Sequence, residues 1–382
     1  MRRLPEVDAL RGLMLVWMTF THLPTIASIF SNQPFGFVSA AEGFIFLSAL
    51  LAGRVYFRVA ERDGAPVMQR KLVLRTLRLY GYHAFLMAFA FVVVAQLAVM
   101  GDRPGLYNLL TYYFVAGPKR AVIDAALLLY RPPLLDILPM YIFFLILTPI
   151  VLSLCTRIGW KPILATSIAL WAGAQFGLRV GAYNLIAHFD RGFIPLDQMG
   201  AFDLWAWQML WVVGLWCGVR WAKGDLPATT WARRFLVPAC FIIPPLLFLR
   251  YALGHGIELG AYEPMFDKWH LGVVRLFDFA AIAAVLVRFH STLKPLAVRP
   301  LVLLGQSSLQ VFCAHLFFCF FGLALMGNAT KVNGWQQVLL LSVTFSAMLM
   351  TAKIFGKSAS KGSQGRGGRS FSPTPATNPS EG

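Results

Sequence analysis

The sequence predicts an all-α protein: a polytopic transmembrane bundle of about ten spanning helices, with both termini inside. Three observations lead there. Apolar residues make up 58% of the 382 and charged ones only 13%, a balance that soluble domains of this length do not have. The apolar runs are about 20 residues long, enough to cross a hydrocarbon core near 30 Å thick and unlike the short alternating strands of an outer-membrane barrel. The cations behind the net charge of +17 fall mostly in alternate connections, as cytoplasmic loops require. That placement points to membrane lipid, not nucleic acid, as their partner.

Residues 1–8 are a short basic start, and the first span covers about 9–30. Arg2 and Arg3 ahead of an apolar run resemble a secretory signal, but Arg11 and His22 interrupt the core and no clean small-residue cleavage site follows, so the segment is expected to be retained. A Ser-Asn-Gln-Pro turn at 31–34 leads into a second span over about 35–57. The next connection carries Arg58, Arg62, Arg70, Lys71, Arg75 and Arg78, and a third span follows over about 79–100. The longest connection, 102–133, holds two apolar patches (106–115 and 121–130) too short to cross separately; they suit interfacial or re-entrant helices. Further spans are expected over about 134–155, 162–179, 201–219, 235–253, 271–289, 301–323 and 335–355. Residues 1–355 thus form one membrane domain. The tail from 356 to 382 is Gly, Ser, Pro, Lys and Arg with almost nothing to bury, and is expected to be a disordered basic cytoplasmic segment. Cys155, Cys217, Cys240, Cys313 and Cys319 lie in or beside apolar spans with no C-x-x-C pair, which reads as packing rather than disulfides or metal ligands.

Within the first span, Arg11 and His22 stand out. Eleven residues separate them by about 16.5 Å along a helix and by three turns plus roughly 20°, so they share one stripe. Ionisable groups in a span are costly and usually face the bundle interior for a purpose; the alternative is an Arg11 that snorkels to the headgroups and a His22 satisfied in the interior. Glu42, entering the second span from outside, and His315, about 14 residues up the ninth, fall at a depth similar to His22. Asp136, Asp203, Gln208, Arg275 and Asp278 fall near the outer ends of the fourth, sixth and eighth spans. These positions predict an outward-facing pocket, with Asp136, Gln208, Arg275, Asp278 and His315 as candidates for holding an acceptor. The opposite layer is cationic: Arg11, with Asp8 placed to pair with it, and Arg75 and Arg78 at i,i+3 on one face. Guanidinium forks suit phosphate groups of a donor substrate, and anionic lipid headgroups suit the same cations.

These layers suggest acyl transfer. A histidine titrating near neutral pH can take the proton from an attacking sugar hydroxyl, and Glu42 is placed to orient that imidazole. There is no G-x-S-x-G elbow, P-loop or H-E-x-x-H spacing, so neither a metal nor a permanently bound cofactor is expected. Intramembrane His and Glu also serve proton-coupled transport, which leaves a transporter or flippase of a carbohydrate or acyl group as the alternative. No internal repeat is visible to support an inverted-repeat transporter.

Several segments together resemble the OpgC family of integral membrane succinyltransferases, within the acyltransferase-3 superfamily. Val-Asp-Ala-Leu-Arg-Gly-Leu followed by Thr-His is similar to the superfamily's Arg-x10-His signature at Arg11 and His22, and Arg-Thr-Leu-Arg at 75–78 to its R-x-x-R motif. Residues 39–48, 132–141, 207–214 and 267–275 resemble OpgC in particular, and 306–315 resembles the superfamily's late helix. Ala49 stands where the pattern has glycine. The resemblance implies succinyl transfer from cytoplasmic succinyl-CoA to hydroxyls of osmoregulated periplasmic glucan, in a bacterial inner membrane. It also implies His22 as catalytic base and a donor-binding role for Arg11, Arg75 and Arg78.

Overall fold

The computed structural model describes residues 5–101, 104–189, 192–225, 228–326 and 333–364. Among them the regular structure is all helix, joined by turns and loops that include an isolated bridge between Phe35 and Val38. Helix α1 spans Pro5–His22 and α2 Ala40–Asp63. Gly64 at φ 86° turns the chain, Pro66 opens the next helix, and α3 continues over Ala65–Met100. A π-helical turn at Ala90–Val94 interrupts α3. Then follow α4 (Ile137–Arg157), α5 (Trp160–Gln175), α6 (Leu178–Phe189), α7 (Leu204–Ala222), α8 (Ala228–Leu253) and α9 (Val273–Arg288). The chain closes with α10 (Arg299–Gln306), α11 (Ser308–Met326) and α12 (Gly334–Gln364).

Each expected span has a helix in its place, but fewer than ten pass as membrane-crossing by length and composition. Among the described residues seven helices do, or eight if α5 and α6, bent by 78° at Phe176 and Gly177, count as one span. The two that fall short are α1, with three charges in 18 residues, and α9, only 16 residues long. Between α3 and α4 the described residues form short helices (Pro104–Leu109, Thr111–Val115, Pro118–Ala126), so this connection adds no span. The ninth expected span divides at Ser307 into α10 and α11. Helix α12 runs through Gln364, beyond the boundary at 356 that composition suggested; residues 365–382 lie outside the described ones.

Small residues let the helices of the centre approach closely, as membrane helix pairs require. Gly214 and Gly218, a G-x-x-x-G pair on α7, lie against α2: a Cβ at Gly218 would strike the Leu50 carbonyl, and one at Gly214 would crowd the Ala49 methyl. Ala49 therefore belongs to this crossing. The α1–α10 crossing has the same logic, with Gly12 against the Leu301 carbonyl and Gly305 against the Asp8 carbonyl. These two crossings fix where Arg11 and Glu42 sit.

Candidate active site

The break between α10 and α11 organises the arginine end of the site. A helix C-terminus leaves its last carbonyls without intrahelical donors, and the Gly305 carbonyl is one of these. Arg11 Nη1 donates to it at 3.3 Å, and Nη2 donates to the Ser308 hydroxyl at 2.5 Å. Arg75 donates to the Tyr141 hydroxyl at 2.7 Å and lies over the Tyr56 ring. The two guanidiniums share a cavity of about 50 Å³ with Phe44, Tyr141, Ser308 and Phe312 among its walls. Arg11 Nε is buried there without a hydrogen-bond partner. Two cations that donate to hydroxyls and a carbonyl, facing one cavity, suit an anion between them. Arg78 is not part of this set. It is exposed and lines a separate groove of about 620 Å³ with Tyr82, Phe85, Phe317 and Phe318, so the two arginines of the R-x-x-R motif face different spaces.

At the other end of α1, His22 meets His315. Their Nδ1 and Nε2 atoms are 3.1 Å apart, and the rings meet edge to edge, 22° from parallel with centroids at 5.4 Å. His315 is fully buried, and its Nδ1 lies 2.8 Å from the Phe312 carbonyl oxygen. His22, at the end of its helix, is half-buried. Phe312 joins the two ends: it lines the arginine cavity, stacks on Phe44, and packs its ring against His315. Cys319, one turn beyond His315, packs with Leu23 and Leu340. The ligand atoms of His22, His315 and Cys319 all fall within 4.8 Å of one another, close enough for one metal ion, which sequence spacing did not suggest because one of the three comes from α1.

Glu42 does not approach the imidazole as expected. It accepts the Ser39 backbone N–H at 3.0 Å and hydroxyl at 2.5 Å, capping α2, and accepts Arg275 Nε at 2.9 Å in a buried ion pair that also uses Arg275 Nη2. All four partners fall to its two oxygens. The five acceptor-pocket candidates likewise do not gather in one cavity wall. Arg275 is on Glu42 and His315 on His22. Asp278 accepts the Phe37 N–H at 2.7 Å, Asp136 accepts the Ala201 N–H at 3.3 Å, and Gln208 is engaged with Ser167 on α5. These are bonds that hold loops and helix ends in place.

Lys268 lies close enough to several charged groups to feel them. Burial lowers the pKa of its ammonium, while the Glu42 and Asp136 carboxylates pull the other way and Arg275 adds to the lowering; it lies over Trp269 with its ammonium 4.9 Å from the ring centroid. The loop carrying it is pinned by backbone acceptors: Trp207 donates to the Trp269 carbonyl, Gln175 to that of His270, and Trp171 to that of Leu271. Within the loop, Asp267 and His270 pair at 2.6 Å. Sequence reasoning missed Tyr141, Ser308, Phe312 and Lys268 as members of the site, although all four lie inside the segments that carried the family resemblance.

The OpgC protein family model matches residues 3–360. No curated protein and no solved structure matches the chain. The match covers all of α1 through α11 and most of α12, both ends of the arginine–histidine axis included, and the chain belongs to the OpgC family.

Proposed function

We propose that the protein is a membrane-embedded O-acyltransferase that moves a succinyl group from cytoplasmic succinyl-CoA to hydroxyls of osmoregulated periplasmic glucan in the bacterial inner membrane. The observation that carries this reading is the pairing, on one helix, of an anion-ready cavity at Arg11 and an imidazole dyad at His22. The donor side is Arg11 and Arg75, whose guanidiniums would hold an anionic group of the CoA thioester, with Arg78 at the neighbouring groove. His22 takes the proton from the acceptor hydroxyl as its oxygen attacks the thioester carbonyl. The C–O bond forms, the C–S bond breaks, and the leaving thiolate takes the proton back, giving a succinyl ester and free CoA. No acyl-enzyme is required.

The arginine and histidine ends are about 16.5 Å apart along α1. The pantetheine arm, reaching past Phe44 and Phe312, closes that distance in this reading. With both termini cytoplasmic, the donor end faces the cytoplasm and His22 the periplasmic half. Glu42, Arg275, Asp278 and Lys268 hold the outer loops against which the glucan binds.

Mass spectrometry of periplasmic glucans tests this. Glucans from cells carrying the protein are expected to bear succinyl half-esters that are absent without it and absent with His22→Ala. Unchanged succinyl content would remove the succinyl-glucan assignment. Glucan crossing a bilayer without modification would make the protein a transporter instead.

A further inference from the structure

The imidazole dyad contains a tautomer argument. A backbone carbonyl can only accept, so the 2.8 Å contact between His315 Nδ1 and the Phe312 oxygen places a proton on His315 Nδ1. A neutral His315 is then bare at Nε2. The 3.1 Å contact from that nitrogen to His22 Nδ1 needs one proton between the two nitrogens; it resides on His22 Nδ1. His22 Nε2 is left with its lone pair, on the half-buried partner of the two. Had His315 carried a second proton, it would donate to His22 Nδ1, force the proton of His22 onto Nε2 and abolish its basicity. His315 is 0% exposed, and its hydrogen-bond partners are a carbonyl and an imidazole; a charge there would be buried without compensation. The edge-to-edge contact with the His22 ring, 22° from parallel, and the Phe312 ring tilted at 57° with its centroid at 5.0 Å fix the plane of the imidazole.

We propose that His315 is a positioning residue that, anchored on the Phe312 carbonyl, holds His22 in the Nδ1–H tautomer with Nε2 free to accept the hydroxyl proton. The inference rests on His22 being the base. It differs from a catalytic triad in having no carboxylate: the orienting group is neutral, keeps its own proton throughout, and passes none on. It also withdraws His315 from the acceptor pocket, since both of its nitrogens are engaged.

The test is kinetic, with the purified full chain in liposomes, succinyl-CoA and glucan. His315→Ala is expected to lower kcat about 10²–10³-fold, the range of a misplaced general base, with little change in KM for succinyl-CoA. His315→Gln places a carbonyl oxygen where Nε2 lay, able to accept from His22 Nδ1–H, and is expected to recover kcat to within about 10-fold of wild type. In ¹⁵N-histidine spectra, His22 is expected as a single Nδ1–H tautomer in the wild type and in His315→Gln, and as a mixture in His315→Ala. Activity is expected to survive a chelator. A folded His315→Ala with unchanged kcat, or equal losses in Ala and Gln variants, would overturn the positioning role. So would activity lost to the chelator and restored by Zn²⁺, because the two imidazoles would then be co-ligands with Cys319. If His22→Ala itself retained transfer, the assignment of the base would fail first, and that result is distinguishable from all of these.

Discussion

Glu42 shows how a residue's neighbours decide its role. Its carboxylate is 0% exposed and its ion pair with Arg275 is equally buried. Removing one member of such a pair leaves a charge without compensation, which costs about 3–5 kcal/mol, whereas replacing both with apolar groups of similar size is close to neutral. Thermal unfolding in detergent is therefore expected to show strong destabilisation in Glu42→Gln and in Arg275→Met, and recovery in the double variant. Losses that simply add would mean the two residues act separately. The arginines of the cavity beside Tyr141 and Ser308 make a different prediction. A lysine keeps the charge but not the fork, so Arg75→Lys is expected to raise KM for succinyl-CoA about tenfold, roughly 1.4 kcal/mol, with kcat nearly unchanged. Equal KM values would place the donor elsewhere. The Glu42 arrangement was available in the sequence: Ser39-x-x-Glu42 ahead of an apolar run is the S-x-x-E signature of a capped helix start. Depth alone suggested a partner for His22, and depth carries no information about which way a side chain faces.

Helix α1 owes its register to glycine contacts and its orientation to the break at Ser307. A larger side chain at Gly12 must push α10 away from Arg11 and carry the Gly305 carbonyl with it. Gly12→Leu is expected to lose at least about 1–3 kcal/mol of stability through overpacking and to weaken donor binding, as read by unfolding and by KM; Gly181→Leu on α6, where the added Cβ would meet nothing within 4 Å, is the control. The loop of Asp267 and His270 responds to pH. Its bond to Asp267 holds His270 above the ordinary value of 6.5. Burial would raise Asp267, but its bonds to His270 win and keep it below 3.8. The stabilisation from His270 is present below its ordinary value and is lost as pH rises through the raised one. That from Asp267 is present above its ordinary value and is lost as pH falls through the lowered one. The pair therefore contributes fully between about pH 3.8 and 6.5 and fades on either side. With the His270 side chain 45% exposed, the effect is about 1 kcal/mol or less. The difference in Tm between wild type and His270→Ala, followed against pH, is expected to peak in that window. A flat difference would show that the bond is not ionic.

For the whole molecule, composition and run length disclosed the membrane bundle, because the hydrocarbon core imposes one length and one polarity on every crossing. Among the described residues a helix-by-helix test of length and composition passes seven or eight of the ten; α1 carries three charges and α9 is only 16 residues long, features that a count of apolar runs does not weigh. Spacing along one helix placed Arg11 and His22 at opposite ends of a single stripe, and depth placed His315 level with His22. What no single-helix argument could reach was contact between helices. Tyr141 on Arg75, Ser308 on Arg11 and Lys268 near Glu42 and Asp136 all depend on which helices adjoin. The central claim is that this axis performs acyl transfer with His22 as the base. The most direct measurement is transfer of label from [¹⁴C]succinyl-CoA to glucan by the purified chain in liposomes, wild type against His22→Ala at equal thermal stability. The account predicts an alkali-labile labelled glucan from the wild type and a loss of about 10²–10⁴-fold in the variant. Equal labelling by both proteins, or passage of glucan across the bilayer without labelling, would contradict it.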